Sequence, residues 1–187
     1  MKPDIYALKR DGAALIVIDI QERLAAAMND SIMEQVQRNT GILIETARLF
    51  GMPIVVSEQY RKGLGPTLAT VRDKVAGIEP HEKLHFDCTK DNILGRAITS
   101  TGRKTFIITG IETHVCVFQT ALSLLENGYR VVVASDAVAS RRKHDWEYSL
   151  KALARAGALI YPTETISFML LVKAGTEEFK KLSPLFK

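Results

Sequence analysis

Short apolar runs rich in β-branched residues recur along this chain, and segments with helical spacing separate them. Residues 13–20 (AALIVIDI) form a nearly continuous apolar run, the pattern of a strand buried on both faces of a parallel sheet. Further runs of this kind lie at 53–56 (PIVV), 105–109 (TFIIT), 130–134 (RVVVA) and 158–161 (ALIY). Between them, 31–50 places Ile32, Val36, Ile42, Leu43 and Ala47 at helical spacing, with Ser31 as candidate cap and Gly51 after its end. Other helices are expected over 66–75, 92–100, 115–126, 145–156, 164–174 and 177–182. Strands alternating with helices from end to end predict an α/β fold, with a parallel sheet, helices on both faces and right-handed crossovers.

The 187 residues suit a single domain over 1–187, and no linker or internal repeat marks a second. The net charge of +4 gathers in Arg141-Arg142-Lys143 and Lys180-Lys181, both with acidic neighbours. No basic stripe interleaved with aromatics appears, so no nucleic-acid partner is expected. No apolar stretch reaches the ~20 residues of a membrane span, so no membrane partner is expected either. Met1-Lys2-Pro3-Asp4 opens no signal-peptide run, and the two cysteines form no secreted disulfide framework. The expected compartment is the cytoplasm.

Ligands in open α/β sheets bind beyond the carboxyl ends of the strands. After the first strand run stand Asp19 and Gln21. After the second come Ser57, Glu58, Gln59 and Tyr60, and after the third Gly110-Ile111-Glu112-Thr113-His114-Val115-Cys116. Cys116 falls in the first turn of an expected helix, where the helix N-terminus lowers a thiol pKa and favours the nucleophilic thiolate. The competing account is a small buried apolar residue. Asp19 closes an apolar strand and is a candidate general base; it could equally cap a neighbouring loop. Lys83, in EKLHFD, could hold both as anions, although surface lysines are far commoner. Gly63 and Gly65 do not make a phosphate loop, because no Gly-Lys-Ser/Thr follows. His81 and His85 stand four residues apart, but Pro80 and the surrounding sequence support no helix that would bring them to one face, so no metal site is expected from the histidines.

Taken together, these residues resemble the isochorismatase-like cysteine hydrolase superfamily. Val17-Ile18-Asp19-Ile20-Gln21 is similar to its D-x-Q strand end. Lys83 followed by Phe86 is similar to its lysine segment, and Gly110 to Val117 is similar to its G-x-x-T-x-x-C-V signature. The likeness extends over about residues 8–175. Glu58-Gln59-Tyr60 with Gly63-Leu64-Gly65-Pro66-Thr67 is similar to the branch of uncharacterised isochorismatase-domain proteins. The resemblance implies a Rossmann-like, three-layer α/β/α fold around a mostly parallel six-stranded sheet. It implies a triad of Asp19, Lys83 and Cys116. It also implies a cis peptide at Ile111–Glu112 that turns the Glu112 amide toward the Cys116 amide, so that both form an oxyanion hole.

Departures from the pattern set the expected reaction. The nicotinamidase branch holds a metal with an aspartate and histidines after its second strand; here that stretch is Ser57-Glu58-Gln59-Tyr60. No metal, no cofactor and no nicotinamide substrate are therefore expected. The vinyl-ether-cleaving branch does not need the cysteine, whereas Cys116 is present. The expectation is hydrolysis of a small molecule at an amide C–N bond through a Cys116 thioester, with Gln21, Gln59, Tyr60, Phe86, Thr113 and His114 as candidate substrate contacts. A homo-oligomer, dimer or larger, is expected from the resemblance. The alternatives are vinyl-ether hydrolysis by Asp19 alone, a binding or scaffold protein that kept the fold, and a redox-sensing thiol protein.

Overall fold

The computed structural model describes residues 6–187; the Met1–Asp4 segment read above lies outside them. The sheet order is β3-β2-β1-β4-β5-β6, formed by β1 (Ala13–Ile18), β2 (Ile54–Gln59), β3 (His81–Lys83), β4 (Thr105–Ile111), β5 (Arg130–Ala139) and β6 (Leu159–Tyr161). All five pairings are parallel. This is the doubly wound order, in which the connections reverse direction between β1 and β4, and the crevice beyond their carboxyl ends is the expected ligand position.

The helices are α1 (Glu22–Ala25), α2 (Asp30–Leu49), α3 (Arg61–Leu64), α4 (Ala69–Arg72), α5 (Asn92–Ser100), α6 (Phe118–Glu126), α7 (Lys143–Ala156), α8 (Thr163–Leu171) and α9 (Glu177–Leu182). Alternate strand residues feed two cores. Leu15, Val17, Ile107 and Val132 pack with Val36, Leu43 and Ile44 of α2 and with Ile166 and Leu170 of α8. Ile16, Ile18, Ile108 and Val133 pack on the opposite face with Leu94 and Ile98 of α5, Leu124 of α6 and Leu153 of α7. Both faces of β1 are therefore dry, which is why its sequence does not alternate.

Several expected boundaries shift for local reasons. The long helix is capped by Asn29, whose Oδ1 accepts from the Ile32 amide at 3.3 Å and from the Ser31 hydroxyl at 2.7 Å; Ser31 itself lies inside the first turn. The helix after Pro66 is only α4, and α8 stops at Leu171 because Val172 takes a left-handed conformation, φ 68°. The strand β3 has no apolar run to reveal it. It pairs through backbone alone, with Gln59 opposite Lys83.

Candidate active site

Asp19 follows β1 at the switch point and adopts φ 50°, a region that few non-glycine residues enter. Its amide donates to the Ser57 carbonyl at 3.2 Å, and its own carbonyl accepts from the Gln21 amide at 2.8 Å. Gly110, beside it at the end of β4, has φ 128°, and a Cβ there would stand 2.0 Å from the Ile18 carbonyl oxygen. Only glycine lets β4 pass this close to the end of β1.

The Asp19 side chain has no exposed surface, and neither has that of Lys83 at the end of β3. Lys83 Nζ donates to Asp19 Oδ2 at 2.7 Å, to Gln59 Oε1 at 2.6 Å and to the Phe86 carbonyl at 3.4 Å. Those three acceptors use all three ammonium protons, the condition under which a buried lysine charge is tolerated. Burial alone would lower the Lys83 pKa, but the Asp19 charge and the two nearby thiols outweigh it, and the net direction is upward. Asp19 Oδ1 accepts from the Ser57 hydroxyl at 2.7 Å. The Cys116 thiol stands close enough to Asp19 for the carboxylate to act on its proton. Side chains from the ends of β1, β2 and β3 and from the segment after β4 thus meet on one carboxylate.

Cys116 does not sit in the first turn of a regular helix. It lies in a wide turn, Thr113–Val117, where the Val117 amide reaches back to the Glu112 carbonyl at 3.3 Å before α6 begins. The expected lowering of its pKa is overturned. Burial pushes the thiol well above its ordinary value, the Asp19 charge pushes it the same way, and Lys83 only partly offsets them. At rest the thiol keeps its proton, beside a carboxylate able to accept it.

The other expected contacts divide. Gln21 is wholly buried. Its Nε2 donates to the Gln59 carbonyl at 3.0 Å and the Gly65 carbonyl at 2.6 Å, and its Oε1 accepts from the Gln59 amide at 2.7 Å. It ties the Gly65 loop to β2 and has no donor left for a substrate. Gln59 likewise spends its Oε1 on Lys83 and its Nε2 on the Leu84 carbonyl, 2.8 Å away, so it orients the lysine. Tyr60 and Phe86 are exposed, while Thr113 is buried with its hydroxyl unpartnered. His114 Nδ1 pairs with Ser140 Oγ at 2.9 Å. The Glu112 carboxylate accepts from the Arg141 amide and guanidinium, each at 3.1 Å, and the Ile111–Glu112 peptide is cis. A cavity of about 250 Å³ lined by His114, Arg141, Arg142 and Asp145 opens beside this clamp. Among the described residues no group of three or more His, Cys, Asp or Glu side chains stands where a metal ion could be held.

The family model for the isochorismatase domain matches residues 13–165, which spans every side chain of this cluster. The chain belongs to the isochorismatase family. It is 33% identical over 179 residues to the secreted isochorismatase effector Isc1 of Phytophthora sojae, an alignment covering 94% of this chain and 84% of that protein. Among solved structures, MAR1 ribonuclease from Caenorhabditis elegans superposes with a TM-score of 0.87 at 32% identity, covering 96% of this chain and 91% of the other. The YcaC gene product of Escherichia coli, an octameric hydrolase of unknown specificity, superposes with a TM-score of 0.91 at 23% identity, covering 100% and 91%. This isochorismatase-family hydrolase has, among its described residues, no helix long and apolar enough to cross a membrane. Because the P. sojae relative is a secreted effector, family membership does not carry the cytoplasmic expectation.

Two members of the cluster escaped the motif reading. Ser57 and Cys88 reach Asp19 as a chain: the Cys88 thiol donates to Ser57 Oγ at 3.8 Å, and Ser57 donates to Asp19. Ser57 was visible only as the polar residue that ends an apolar run. Cys88 is fully buried, and burial together with the Asp19 charge pushes its thiol up to about 12.

Proposed function

We propose that this isochorismatase-family hydrolase, acting as one domain, cleaves an amide C–N bond of a small molecule through a thioester on Cys116. The observation that carries this reading is the shared carboxylate. Buried, strongly interacting charges beside a nucleophile mark a functional site, and here the Asp19 that Lys83 neutralises also acts on the Cys116 thiol.

In the proposed sequence Asp19 takes the Cys116 proton as Sγ attacks the substrate carbonyl carbon. The oxyanion is held by the amides of Glu112 and Cys116. The tetrahedral adduct collapses, Asp19 returns that proton to the leaving amine, and the C–N bond breaks. Asp19 next deprotonates a water molecule that attacks the thioester carbon. The C–S bond breaks, and the thiolate recovers the proton from Asp19. Lys83 stays charged throughout and holds Asp19 Oδ2.

Thr113 supports a polar substrate, since a buried hydroxyl without a partner is costly until a ligand meets it. Tyr60, Phe86 and His114 are the proposed wall. With Asp19 and Lys83 wholly buried and Cys116 only 5% exposed, a small amide suits the site better than the polynucleotide that the name of the worm neighbour suggests for that protein. Tyr60, Leu84 and Phe86 stand exposed near the site, and this apolar surface favours a homo-oligomer.

The test is ammonia release from a panel of small amides and ureides, wild type against Cys116→Ala, with single-stranded RNA as a control substrate. Release by the wild type alone supports the thioester route. Equal turnover by both proteins would transfer the chemistry to Asp19, as in vinyl-ether hydrolysis. RNA cleavage without ammonia release would sink the amide reading.

A further inference from the structure

The Asp19 carboxylate has two oxygens and, in the reading above, carries the protons of both half-reactions, the first of them taken from Cys116. Lys83 occupies Oδ2 at 2.7 Å and Ser57 occupies Oδ1 at 2.7 Å. Ser57 has no exposed surface, so bulk solvent does not compete for its hydroxyl. A hydroxyl has one proton to donate, and Ser57 gives it to Asp19 while its oxygen accepts from the Cys88 thiol at 3.8 Å. Cys88 is itself anchored, its amide donating to Thr120 Oγ1 at 3.0 Å. The hydroxyl is therefore held in one direction. Parallel pairing sets Ser57 beside Ile18, one residue before Asp19, and the Asp19 amide returns to the Ser57 carbonyl at 3.2 Å.

We infer that Ser57 is a positioning residue of this site: its donated hydrogen bond fixes the direction of the Asp19 carboxylate and favours the charged form that takes the Cys116 proton. The inference rests on the proposed role of Asp19 as base. Among the described residues, the charged or titratable groups that act on Asp19 are Lys83 from β3, Cys88 from the segment before α5, and Cys116 from the turn after β4. A hydrogen bond donated to the charged form of a carboxylate lowers its proton affinity, so removing it raises that affinity.

The readout needs no substrate. Replacing Cys88 with alanine leaves Cys116 as the single thiol of a chain that has two. Its alkylation rate by iodoacetamide is then followed from pH 4 to pH 10. Transfer of the thiol proton to Asp19 gives a rate plateau, bounded on the acid side by protonation of the coupled Asp19–Cys116 pair. In this background Ser57→Ala is expected to move the acid limb upward by about one pH unit, the scale of one lost bond to a charge. Ser57→Thr, which restores the hydroxyl, returns the limb toward the parent. A far-UV circular dichroism spectrum matching the parent qualifies each variant for comparison. Asp19→Asn is the control and should abolish the plateau.

An unmoved limb in folded Ser57→Ala, or an equal shift in Ser57→Thr, would overturn the positioning role while the Asp19→Asn result leaves the base in place. A plateau that survives Asp19→Asn would overturn the base itself, and the role of Ser57 with it.

Discussion

Lys83 Nζ lies 2.7 Å from Asp19 Oδ2 although neither side chain has any exposed surface. Each charge is buried only because the other is there. Gln59 and the Phe86 carbonyl take the remaining ammonium protons, and Ser57 takes the second carboxylate oxygen. The consequence is asymmetric. Lys83→Met should destabilise the fold by about 3–5 kcal/mol, because an uncompensated carboxylate is left inside. The double variant Lys83→Met/Asp19→Asn should recover part of that loss. Urea unfolding of the three proteins checks it; a double variant weaker than the lysine single variant would argue against the pair as described.

Cys116→Ala removes only a small, buried side chain from the turn after β4. It should fold and melt close to the parent, and lose at least about 10³-fold in amide turnover, as removal of a nucleophile does. Differential scanning fluorimetry and the ammonia assay, run on one preparation, separate the two effects.

Alkali should unfold this protein earlier than its lysines alone would predict. Burial and the Asp19 charge raise the Cys88 thiol from 9.0 to about 12, and Cys116 and Lys83 are also raised. A group whose folded pKa is raised gives stability that is complete below its unfolded pKa and is lost as pH climbs through the folded one. The Cys88 contribution is therefore whole below about pH 9 and declines from there toward pH 12. Urea midpoints should be similar at pH 7 and 8.5 and fall by pH 10.5, and that fall should be smaller in Cys88→Ala. Parallel curves would contradict the burial of that thiol.

Gly110→Ala should be among the most damaging single-methyl additions in the sheet. The new Cβ would meet backbone, the Ile18 carbonyl oxygen at 2.0 Å, and φ is 128° besides. Nothing flexible stands there to give way, so a cost above about 3 kcal/mol is expected. Solubility on expression and the urea midpoint are the readouts; a near-parental midpoint would mean the β1–β4 approach is looser than described.

The alternation of β-branched runs with helical spacing was enough to assign an α/β fold, because both patterns are written over neighbouring residues. β1, β4 and α5 could be placed on that basis to within two residues. β3 could not. His81, Glu82 and Lys83 form an edge strand through backbone pairing with β2, and nothing in their side chains announces it. Position after the strand runs singled out Cys116 and Asp19, and the resemblance to the G-x-x-T-x-x-C and D-x-Q motifs joined them to Lys83. Position alone then misjudged the thiol, since a helix-start argument carries no account of burial. Gln21 and Gln59 read as substrate contacts because polar residues at strand ends often are; in the structure both hold backbone, and Gln59 holds the lysine as well.

By itself, then, the sequence determined the layer order, the two dry faces of the central strands and the residues able to do chemistry, all properties of local pattern and composition. Only the tertiary structure decided which of those residues share one carboxylate, that Ser57 and Cys88 join them, and that the charges are sealed from water. Register between parallel strands and depth of burial depend on segments far apart in the chain: Asp19 meets Ser57 across 38 residues and Lys83 across 64. No local window of sequence contains that pairing, and the electrostatics of the site follow from it.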